Sequence, residues 1–566
     1  MLSRGAPERP VPLRVPALLT IMAGLLLAAC ASPSATSEVD ESVQLAVAIG
    51  LVRDQAGLEK HAIEVNNPGG SEYGTYLTQT EIADKYGASK SDADKLLEYL
   101  KDGGVDGDLQ ANGGLVMANM TVGQAEDLLN ATFSDFKSTS GTRYVSGKAG
   151  SLPGEIKDVV DDVAGLAHTV PSATPTPEVS APDLDPAATS DCGDTQPRVE
   201  IEAIHEELGI DGLTARGATG AGMRVAITAI EAFDAQSYAE WTACLGISPP
   251  QPQVKTVQSA DLGLPGENEI DLDLDTIVAA VPDLAAIDIY EFNSFGWMGS
   301  PIAAAINVTD AADLPDAIVS SVVFCELGLE EEQAHLSDWV LAAAATSGVP
   351  VVAAAGDRGS SGCYPSKKAL AVQRPASSPF AVAAGGTQQG SSSEGDGGEN
   401  EPEVWYEKSQ ELAGGGGTST FGTRPGYQAQ VDISGSARVV PDFAGPADPN
   451  AAPALPICDR VTGTCSWTRV GGTSMTAPLV TAGLLQMRQL LEAQGKPGPG
   501  FVNPLVYGLD GADRARVFTD IPSGTNDLFD VGCCSSKPGF DAVTGWGAVD
   551  LDALYDVINT VAPQSR

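Results

Sequence analysis

The sequence predicts an α/β protein whose larger part is a doubly wound, mostly parallel sheet, preceded by a smaller α+β domain. From residue 197 onward, apolar runs of strand length alternate with helical stretches. Strands separated by helices pair in parallel and are covered on both faces. A proline-rich stretch separates this part from the smaller domain. Its prolines are Pro171, Pro175, Pro177, Pro182 and Pro186.

The N-terminal thirty residues predict an export signal. Three arginines precede an uncharged apolar run, residues 15–29, that is too short to span a bilayer comfortably. The run ends in Leu27-Ala28-Ala29-Cys30 and resembles a bacterial lipobox, in which the cysteine becomes the lipid-modified first residue. We therefore expect a lipoprotein-type signal over residues 1–30 and an extracellular or cell-surface precursor attached to the membrane only by lipid on Cys30. An ordinary secretory signal that ends in cysteine is the alternative.

The elements of the two domains follow in order along the chain. A polar tether, residues 31–40, leads into the first domain, residues 41–168, with a strand over 43–51 and helices over 90–99 and 122–129. Residues 169–196 are an extended, cleavable linker. The second domain, residues 197–566, has predicted strands over 225–230, 285–290, 318–324 and 349–355, and its plainest helix covers 331–347.

Charge and composition restrict the function. The chain has 32 Lys+Arg against 75 Asp+Glu, a net charge of −43, which makes nucleic-acid binding a poor prediction. Four histidines are few for catalysis, so a mechanism is expected to rely on carboxylates. Nine cysteines less Cys30 leave eight, an even number compatible with disulfides in an exported chain. The pairing stays open, although Cys458 and Cys465 are able to close a small loop.

A serine stands where a nucleophile is commonly exposed. Gly471-Gly472-Thr473-Ser474 leads through Pro478 into an apolar helix, so Ser474 lies at the helix start, where backbone N–H groups point outward. The alternative is a serine that only caps a core helix.

An acidic segment at residues 267–275 supplies a candidate base. Ile270, Leu274 and Ile277 follow helical spacing, which places Glu269 and Asp273 on one face, close enough to share a proton. Glu267 and Asp271 form a second pair at the same spacing, so the base is open between Glu269 and Glu267. A solvated acidic face is the alternative.

Two further places carry carboxylates in glycine-rich turns. A buried strand ends at Gly356-Asp357-Arg358-Gly359, where Asp357 is either functional or only forms the turn. Asp520 and Asp541 lie near exposed carbonyls, and this all-oxygen set suits calcium. The alternative is two loops whose aspartates only form turns.

Together these motifs resemble the sedolisin family, the serine-carboxyl peptidases, with a kumamolisin-like activation prodomain. Gly472 to Pro478 is similar to the family's nucleophile signature, Glu269 to Asp273 to its Glu-x-x-Leu-Asp helix, and Gly356-Asp357 to its oxyanion turn. Within the likeness, Glu269 is preferred over Glu267, because it keeps the Leu before the Asp. Further likenesses are Gly385-Gly386-Thr387, Val440-Pro441-Asp442, Thr544-Gly545-Trp546-Gly547 and, in the first domain, Tyr73-Gly74-Thr75-Tyr76-Leu77-Thr78.

The resemblance implies a subtilisin-like catalytic domain, polypeptide substrates and a first domain that acts as intramolecular inhibitor and chaperone of a monomer. Ser474 would attack the peptide carbonyl, Glu269 would take its proton, Asp273 would hold Glu269, and protonated Asp357 would donate to the oxyanion. Both carboxyl roles favour an acidic optimum, roughly pH 3–5. The implied structural Ca²⁺ ligands are Asp520, Asp541 and the carbonyls of Ile521, Lys537 and Gly539.

Two alternatives remain at this point. A cell-surface binding protein would keep the peptidase fold without activity, although Ser474, Glu269, Asp273 and Asp357 are all present. The second alternative, a subtilisin-like enzyme that uses a histidine base, has less support. None of the four histidines stands in a His-Gly motif.

Overall fold

A computed structural model describes residues 39–137, 143–169, 192, 197–257, 269–293, 296–390, 401–459 and 464–563. The predicted signal, Cys30, nearly all of the tether, most of the linker and Glu267 lie outside these described residues.

The helices and strands follow in chain order. The helices are α1 (Gln55–Val65), α2 (Gln79–Tyr86), α3 (Lys90–Asp102), α4 (Val122–Leu129), α5 (Pro197–Glu207), α6 (Ile210–Ala215), α7 (Ala235–Leu245), α8 (Glu269–Ala280), α9 (Ser300–Ile306), α10 (Glu331–Thr346), α11 (Thr473–Glu492), α12 (Asn503–Gly508), α13 (Gly511–Val517) and α14 (Leu551–Val561). The strands are β1 (Gln44–Leu51), β2 (Gly107–Leu109), β3 (Leu115–Thr121), β4 (Thr132–Lys137), β5 (Arg143–Lys148), β6 (Val160–Ala164), β7 (Ala167–Thr169), β8 (Arg224–Ala229), β9 (Gln253–Thr256), β10 (Ala286–Glu291), β11 (Ala317–Ser320), β12 (Phe324–Cys325), β13 (Val351–Ala354), β14 (Gln373–Arg374), β15 (Val382–Gln389), β16 (Pro402–Val404), β17 (Tyr406–Glu407), β18 (Leu412–Ala413), β19 (Gly417–Thr423), β20 (Ala437–Val440), β21 (Phe443–Pro446), β22 (Ala454–Asp459), β23 (Thr464–Arg469), β24 (Phe518–Thr519) and β25 (Ala548–Val549).

The N-terminal domain is built on a four-stranded sheet in the order β2-β3-β1-β6. Strand β1 pairs antiparallel with a strand on each side, and seven of its eight residues are buried. Burial on both faces explains why β1 reads as a continuous apolar run and not as an alternation. Helix α2 begins at a capping box between Thr78 and Glu81, and α4 begins at the same motif between Thr121 and Gln124.

The C-terminal domain contains the predicted parallel sheet. Its strand order is β24-β25-β21-β15-β13-β11-β8-β10-β9, with β16 added antiparallel to β15. Every neighbouring pair from β9 to β25 along this order is parallel. Strands β11 and β13 are wholly buried in the centre of the sheet. The mostly parallel, doubly wound fold class predicted from the sequence is therefore confirmed.

One predicted strand is too long. The expected strand over 318–324 ends at Ser320, whose hydroxyl donates to the carbonyl of Val322 at 3.2 Å. The chain then leaves the sheet, and β12 pairs with β14 antiparallel. The apolar residues at 322–324 pack outside the sheet, which their composition alone does not reveal.

The topology fixes where side chains gather. Strands β8, β11 and β13 are neighbours and run in parallel, so the residues that follow them meet at one edge of the sheet. Helix α11 packs against α8 and against β11 and β13. The start of α11, the start of α8 and the loop after β13 therefore lie together.

The N-terminal domain docks on helix α10 through buried polar contacts. The Trp339 indole donates to Asn112 Oδ1 at 3.0 Å, and the Asn66 amide donates to the carbonyl of Ala345 at 2.9 Å. Gln79 donates to the Ser347 hydroxyl at 2.8 Å. Because each of these groups is buried, separating the domains requires replacing every bond with water.

The eight cysteines of the described residues form four disulfides. The pairs are Cys192–Cys244, Cys325–Cys363, Cys458–Cys465 and Cys533–Cys534. The disulfide between Cys458 and Cys465 closes the predicted small loop, and the two cysteines face each other across β22 and β23. Within the ranges that the structure describes, none of the helices combines the length and the apolar character that crossing a bilayer requires.

Candidate active site

Ser474 lies in the first turn of α11 and is 4% exposed. The helix is preceded by Gly472 at a φ of +118°, a backbone conformation that favours glycine. A Cβ at position 472 would lie 2.5 Å from Asp357 Oδ2. Glycine is therefore needed here both for the turn and for the approach of the Asp357 carboxyl to the start of the helix.

Glu269 and Asp273 stand one turn apart on α8, as the helical spacing predicted. Asp273 is 1% exposed, and its Oδ1 accepts a hydrogen bond of 2.5 Å from the Ser321 hydroxyl. Burial raises the pKa of Asp273 to about 8, and the Ser321 bond acts in the opposite direction.

The pKa of Glu269 is raised well above its usual value, first by burial and then by the nearby charge of Asp273. A hydrogen-bonding interaction with the Ser474 hydroxyl lowers it in part. Two carboxylates this close in a dry site cannot both ionise easily, so the pair titrates as one unit that retains a proton. A serine hydroxyl next to such a pair is able to pass its proton to a carboxylate.

Asp357 follows β13 and faces the same helix start. Its Oδ1 accepts from the backbone N–H and from the hydroxyl of Thr473, both at 2.9 Å. The Thr473 hydroxyl in turn accepts from the N–H of Gly356 at 2.9 Å. Burial raises the pKa of Asp357, with the two Thr473 bonds opposing, so this carboxyl keeps its proton to a higher pH than an exposed aspartate.

The structure places Glu269 beside Ser474, whereas Asp271 acts on a different neighbour. The charge of Asp271 raises the pKa of Asp275, which is 1% exposed on the same helix. Glu267 lies outside the described residues. Among the described residues of the acidic segment, the carboxyl beside Ser474 is that of Glu269, whose partner is Asp273.

Two residues of this site were missed by sequence reasoning. Glu231 follows β8, is 3% exposed, and its charge contributes to the raised pKa of Glu269. Ser321 follows β11 and contacts Asp273. They lie at the carboxyl ends of β8 and β11, two neighbouring parallel strands, and the rule that sites gather at such strand ends was the signal available for finding them.

The histidines lie elsewhere. His61 and His168 belong to the N-terminal domain, and His335 is exposed on α10. His205 lines an apolar pocket with Trp241 and Leu479, and burial lowers its pKa to about 4. The candidate proton acceptor at Ser474 is a carboxylate.

The predicted calcium ligands come together in two adjoining turns. The Ser536 hydroxyl is within hydrogen-bond distance of both the Ile521 carbonyl and Asp541 Oδ2. Asp520 Oδ2 accepts from the N–H of Gly539 at 2.9 Å. No group of three or more His, Cys, Asp or Glu side chains suited to a metal occurs among the described residues. The oxygens of Asp520, Asp541 and the Ile521 carbonyl belong to the type that a hard cation such as calcium prefers.

Comparison with known proteins gives matches in both domains. Residues 34–169 match the model of the pro-kumamolisin activation domain, and residues 319–497 match the subtilase family. Kumamolisin of Bacillus sp. (strain MN-32) is 32% identical over 59% of this chain and 59% of its own length. Sedolisin of Pseudomonas sp. (strain 101) is 23% identical over 94% of this chain and 89% of its own. The solved Pseudomonas sedolisin covers 65% of this chain and 99% of its own at 21% identity, with a TM-score of 0.53, a likeness of fold.

The fold, the Ser474 site and these matches define the class, which is a serine-type endopeptidase with an N-terminal activation domain. Within that class, the chain is similar to members of the sedolisin family, the serine-carboxyl peptidases.

Proposed function

We propose that the chain is the zymogen of an exported endopeptidase that hydrolyses polypeptides at acidic pH, with Glu269 in the place of a histidine base. The observation that carries the proposal is the position of Ser474 beside Glu269, the first carboxyl of the buried Glu269–Asp273 pair. An ordinary carboxyl ionises at about pH 4, where an imidazole is already protonated, so a carboxyl pair that keeps one proton and has lost the other is able to act as a base in acid.

In the proposed reaction, Ser474 Oγ attacks the scissile carbonyl carbon while Glu269 takes the hydroxyl proton. Glu269 then delivers this proton to the leaving amine, and water releases the acyl group by the same path. Asp273 carries the other proton of the pair and fixes the orientation of Glu269 through it.

Asp357 is proposed to stabilise the oxyanion. Oδ1 is engaged by Thr473, so Oδ2, which lies towards Gly472 at the helix start, carries the proton and donates it as a hydrogen bond. The donor exists only while Asp357 is protonated, and its raised pKa extends that range upward. The pair must also have lost one proton, and the two conditions together define an acidic window of activity.

The N-terminal domain is proposed to keep the enzyme inactive until the chain is cut near residues 169–196. If Cys30 is lipidated, this cut also releases the catalytic domain from the membrane, because the anchor lies on the prodomain side. Fractionation of cells tests the point. Mature catalytic domain is expected in the soluble extracellular fraction, and mature domain that stays with membranes would contradict the release.

Asp520, Asp541 and the carbonyls of Ile521, Lys537 and Gly539 are proposed to hold a structural Ca²⁺. When bound, the ion would neutralise the two carboxylates and join the turns that carry them. It takes no part in the proposed reaction.

Cleavage of an unstructured polypeptide tests the function. At pH 4, wild type is expected to produce internal cuts, Ser474→Ala none, and His205→Ala the same cuts as wild type. Loss of activity in His205→Ala would instead support a histidine base. Absence of cleavage by activated wild type at every pH would favour the cell-surface binding protein.

A further inference from the structure

Ser321 occupies a position from which it acts on the active site without touching a substrate. It is the first residue after β11, the strand that lies between β8 and β13 in the sheet. Its exposed fraction is 1%. The carboxyl ends of these strands also hold Glu231 and Asp357. Nothing in the nucleophile or acidic-helix motifs points to this serine, which comes from another part of the chain.

The contact of Ser321 with the carboxyl pair is short and dry. Its hydroxyl donates to Asp273 Oδ1 at 2.5 Å, and both residues are 1% exposed. A hydrogen bond to a carboxyl pair that shares one proton, and so carries one negative charge, is strengthened in a low-dielectric site. The bond lowers the pKa of Asp273 against the larger upward effect of burial.

The contact also distinguishes the two oxygens of Asp273. A carboxyl oxygen that accepts a hydrogen bond is the poorer place for that carboxyl's own proton, because the donor hydrogen already occupies it. The proton of Asp273 is therefore favoured on Oδ2, and Oδ2 is left as the oxygen for exchange with Glu269.

We propose that Ser321 is a positioning residue of the carboxyl pair: by donating to Asp273 Oδ1 it leaves Oδ2 to share a proton with Glu269 and so keeps Glu269 ready as the base. The proposal rests on the proposed function, because it assigns a role within the same reaction. It adds a fifth side chain, Ser321, to Ser474, Glu269, Asp273 and Asp357.

Ser320 offers a matched control in the adjacent position. It is 4% exposed, its hydroxyl accepts from Thr228 at 3.0 Å and donates to the Val322 carbonyl, and these bonds do not involve the pair. Alanine at either position removes one oxygen and adds no bulk. Both variants lose a buried hydroxyl from the same strand end, and Ser321→Ala alone loses a donor to a catalytic carboxyl.

The experiment compares activated wild type, Ser321→Ala and Ser320→Ala on one peptide substrate, with kcat and KM measured from pH 2.5 to 7 and melting temperatures alongside. Without the donor, the first ionisation of the pair occurs at higher pH. We expect the acid limb of kcat/KM in Ser321→Ala to move up by about one pH unit, with kcat reduced about tenfold at pH 3.5 and KM within about twofold of wild type. In Ser320→Ala the acid limb should coincide with that of wild type.

An acid limb in Ser321→Ala that coincides with that of wild type would overturn the proposal, as would equal shifts in the two variants. Ser474→Ala is measured first, because it tests the proposed mechanism independently of the role of Ser321. If cleavage by wild type does not depend on Ser474, the proposed mechanism falls. If it depends on Ser474 and the limbs coincide, only the role of Ser321 falls.

Discussion

At the scale of single residues, the proposed reaction assigns to buried carboxyls what other serine peptidases do with an imidazole and amide groups. Burial dominates the raised pKa values of Glu269, Asp273 and Asp357 alike. Each also has a specific partner, namely Ser474, Ser321 and Thr473. Burial makes all three carboxyls weaker acids. Their different partners suit them to different roles in the proposed reaction.

Replacing Asp357 with asparagine removes the titratable proton of this side chain and keeps its shape. Asparagine Oδ1 accepts from Thr473 as before, and its amide stands in the place of Oδ2 as a donor that does not titrate. We expect Asp357→Asn to stay within about tenfold of wild-type kcat/KM at pH 4 and to lose the fall that wild type shows as pH rises past the pKa of Asp357.

The pH profile of kcat/KM on a peptide substrate measures this, with Asp357→Ala as the control that lacks any donor. Asp357→Ala should fall by about a hundredfold or more at every acidic pH. An Asp357→Asn profile that keeps the wild-type alkaline limb would contradict the role given to the proton.

Asp275 is predicted to make stability depend on pH. It is 1% exposed, neither of its carboxyl oxygens has a hydrogen-bond partner in the structure, and burial followed by the charge of Asp271 raises its pKa well above the usual value. A raised pKa in the folded state gives stability that is complete below the unfolded pKa and is lost as pH rises through the folded one. Asp275→Asn is therefore expected to match wild type near pH 4 and to melt about 2 °C or more higher at pH 7.

Thermal melts of the precursor test this in a Ser474→Ala background, which prevents self-digestion. Asp283→Asn, at the exposed turn after the same helix, is the control and should show no such trend. A melting temperature of Asp275→Asn that falls below wild type at pH 7 would show that the carboxylate is stabilised when ionised.

At the scale of elements, the sequence predicted the structure where all the residues of a motif belong to one helix or strand. The spacing of Ile270, Leu274 and Ile277 predicted helix α8, and the glycines before Ser474 predicted the start of α11. The sequence did not predict contacts between residues that lie far apart in the chain. Ser321 reaches Asp273 across 48 positions, and the pairing of Cys192 with Cys244 needed the fold.

The turns around Asp541 carry a prediction about calcium at this same scale. Chelation with EGTA is expected to lower the melting temperature, and at a calcium concentration a hundred times the dissociation constant the ion contributes about 2.7 kcal/mol. Asp541→Asn should remove most of the response, because it replaces a proposed carboxylate ligand. The two Asp541 oxygens also hold the turn through five contacts, with Ser536, Lys537, Val543 and Thr544.

Asp510→Asn is the matched control. Asp510 caps α13 through the N–H groups of Ala512 and Asp513 at some distance in sequence from these turns. This variant should be less stable than wild type and respond to calcium in full. A wild-type melting temperature that is the same with calcium and with EGTA would contradict the predicted calcium site.

At the scale of the whole molecule, the two domains form one precursor in which the first rests on a helix of the second. Trp339 packs against the first domain so closely that a Cβ at Gly114 would overlap its ring. Asn66 bonds the carbonyl of Ala345 and the N–H of Phe501, so it joins two parts of the catalytic domain. This docking is consistent with a prodomain that supports folding of the catalytic domain before it is removed.

The measurement that tests the central claim most directly is self-processing of the purified precursor, followed on a gel after a shift from neutral pH to about pH 4 with calcium present. Wild type should lose its first domain, and Ser474→Ala and Glu269→Gln should both remain intact, because one lacks the nucleophile and the other the base. His335→Ala, exposed on α10, should be processed like wild type. Processing of Glu269→Gln at the wild-type rate would contradict the claim that a carboxylate at this position serves as the base.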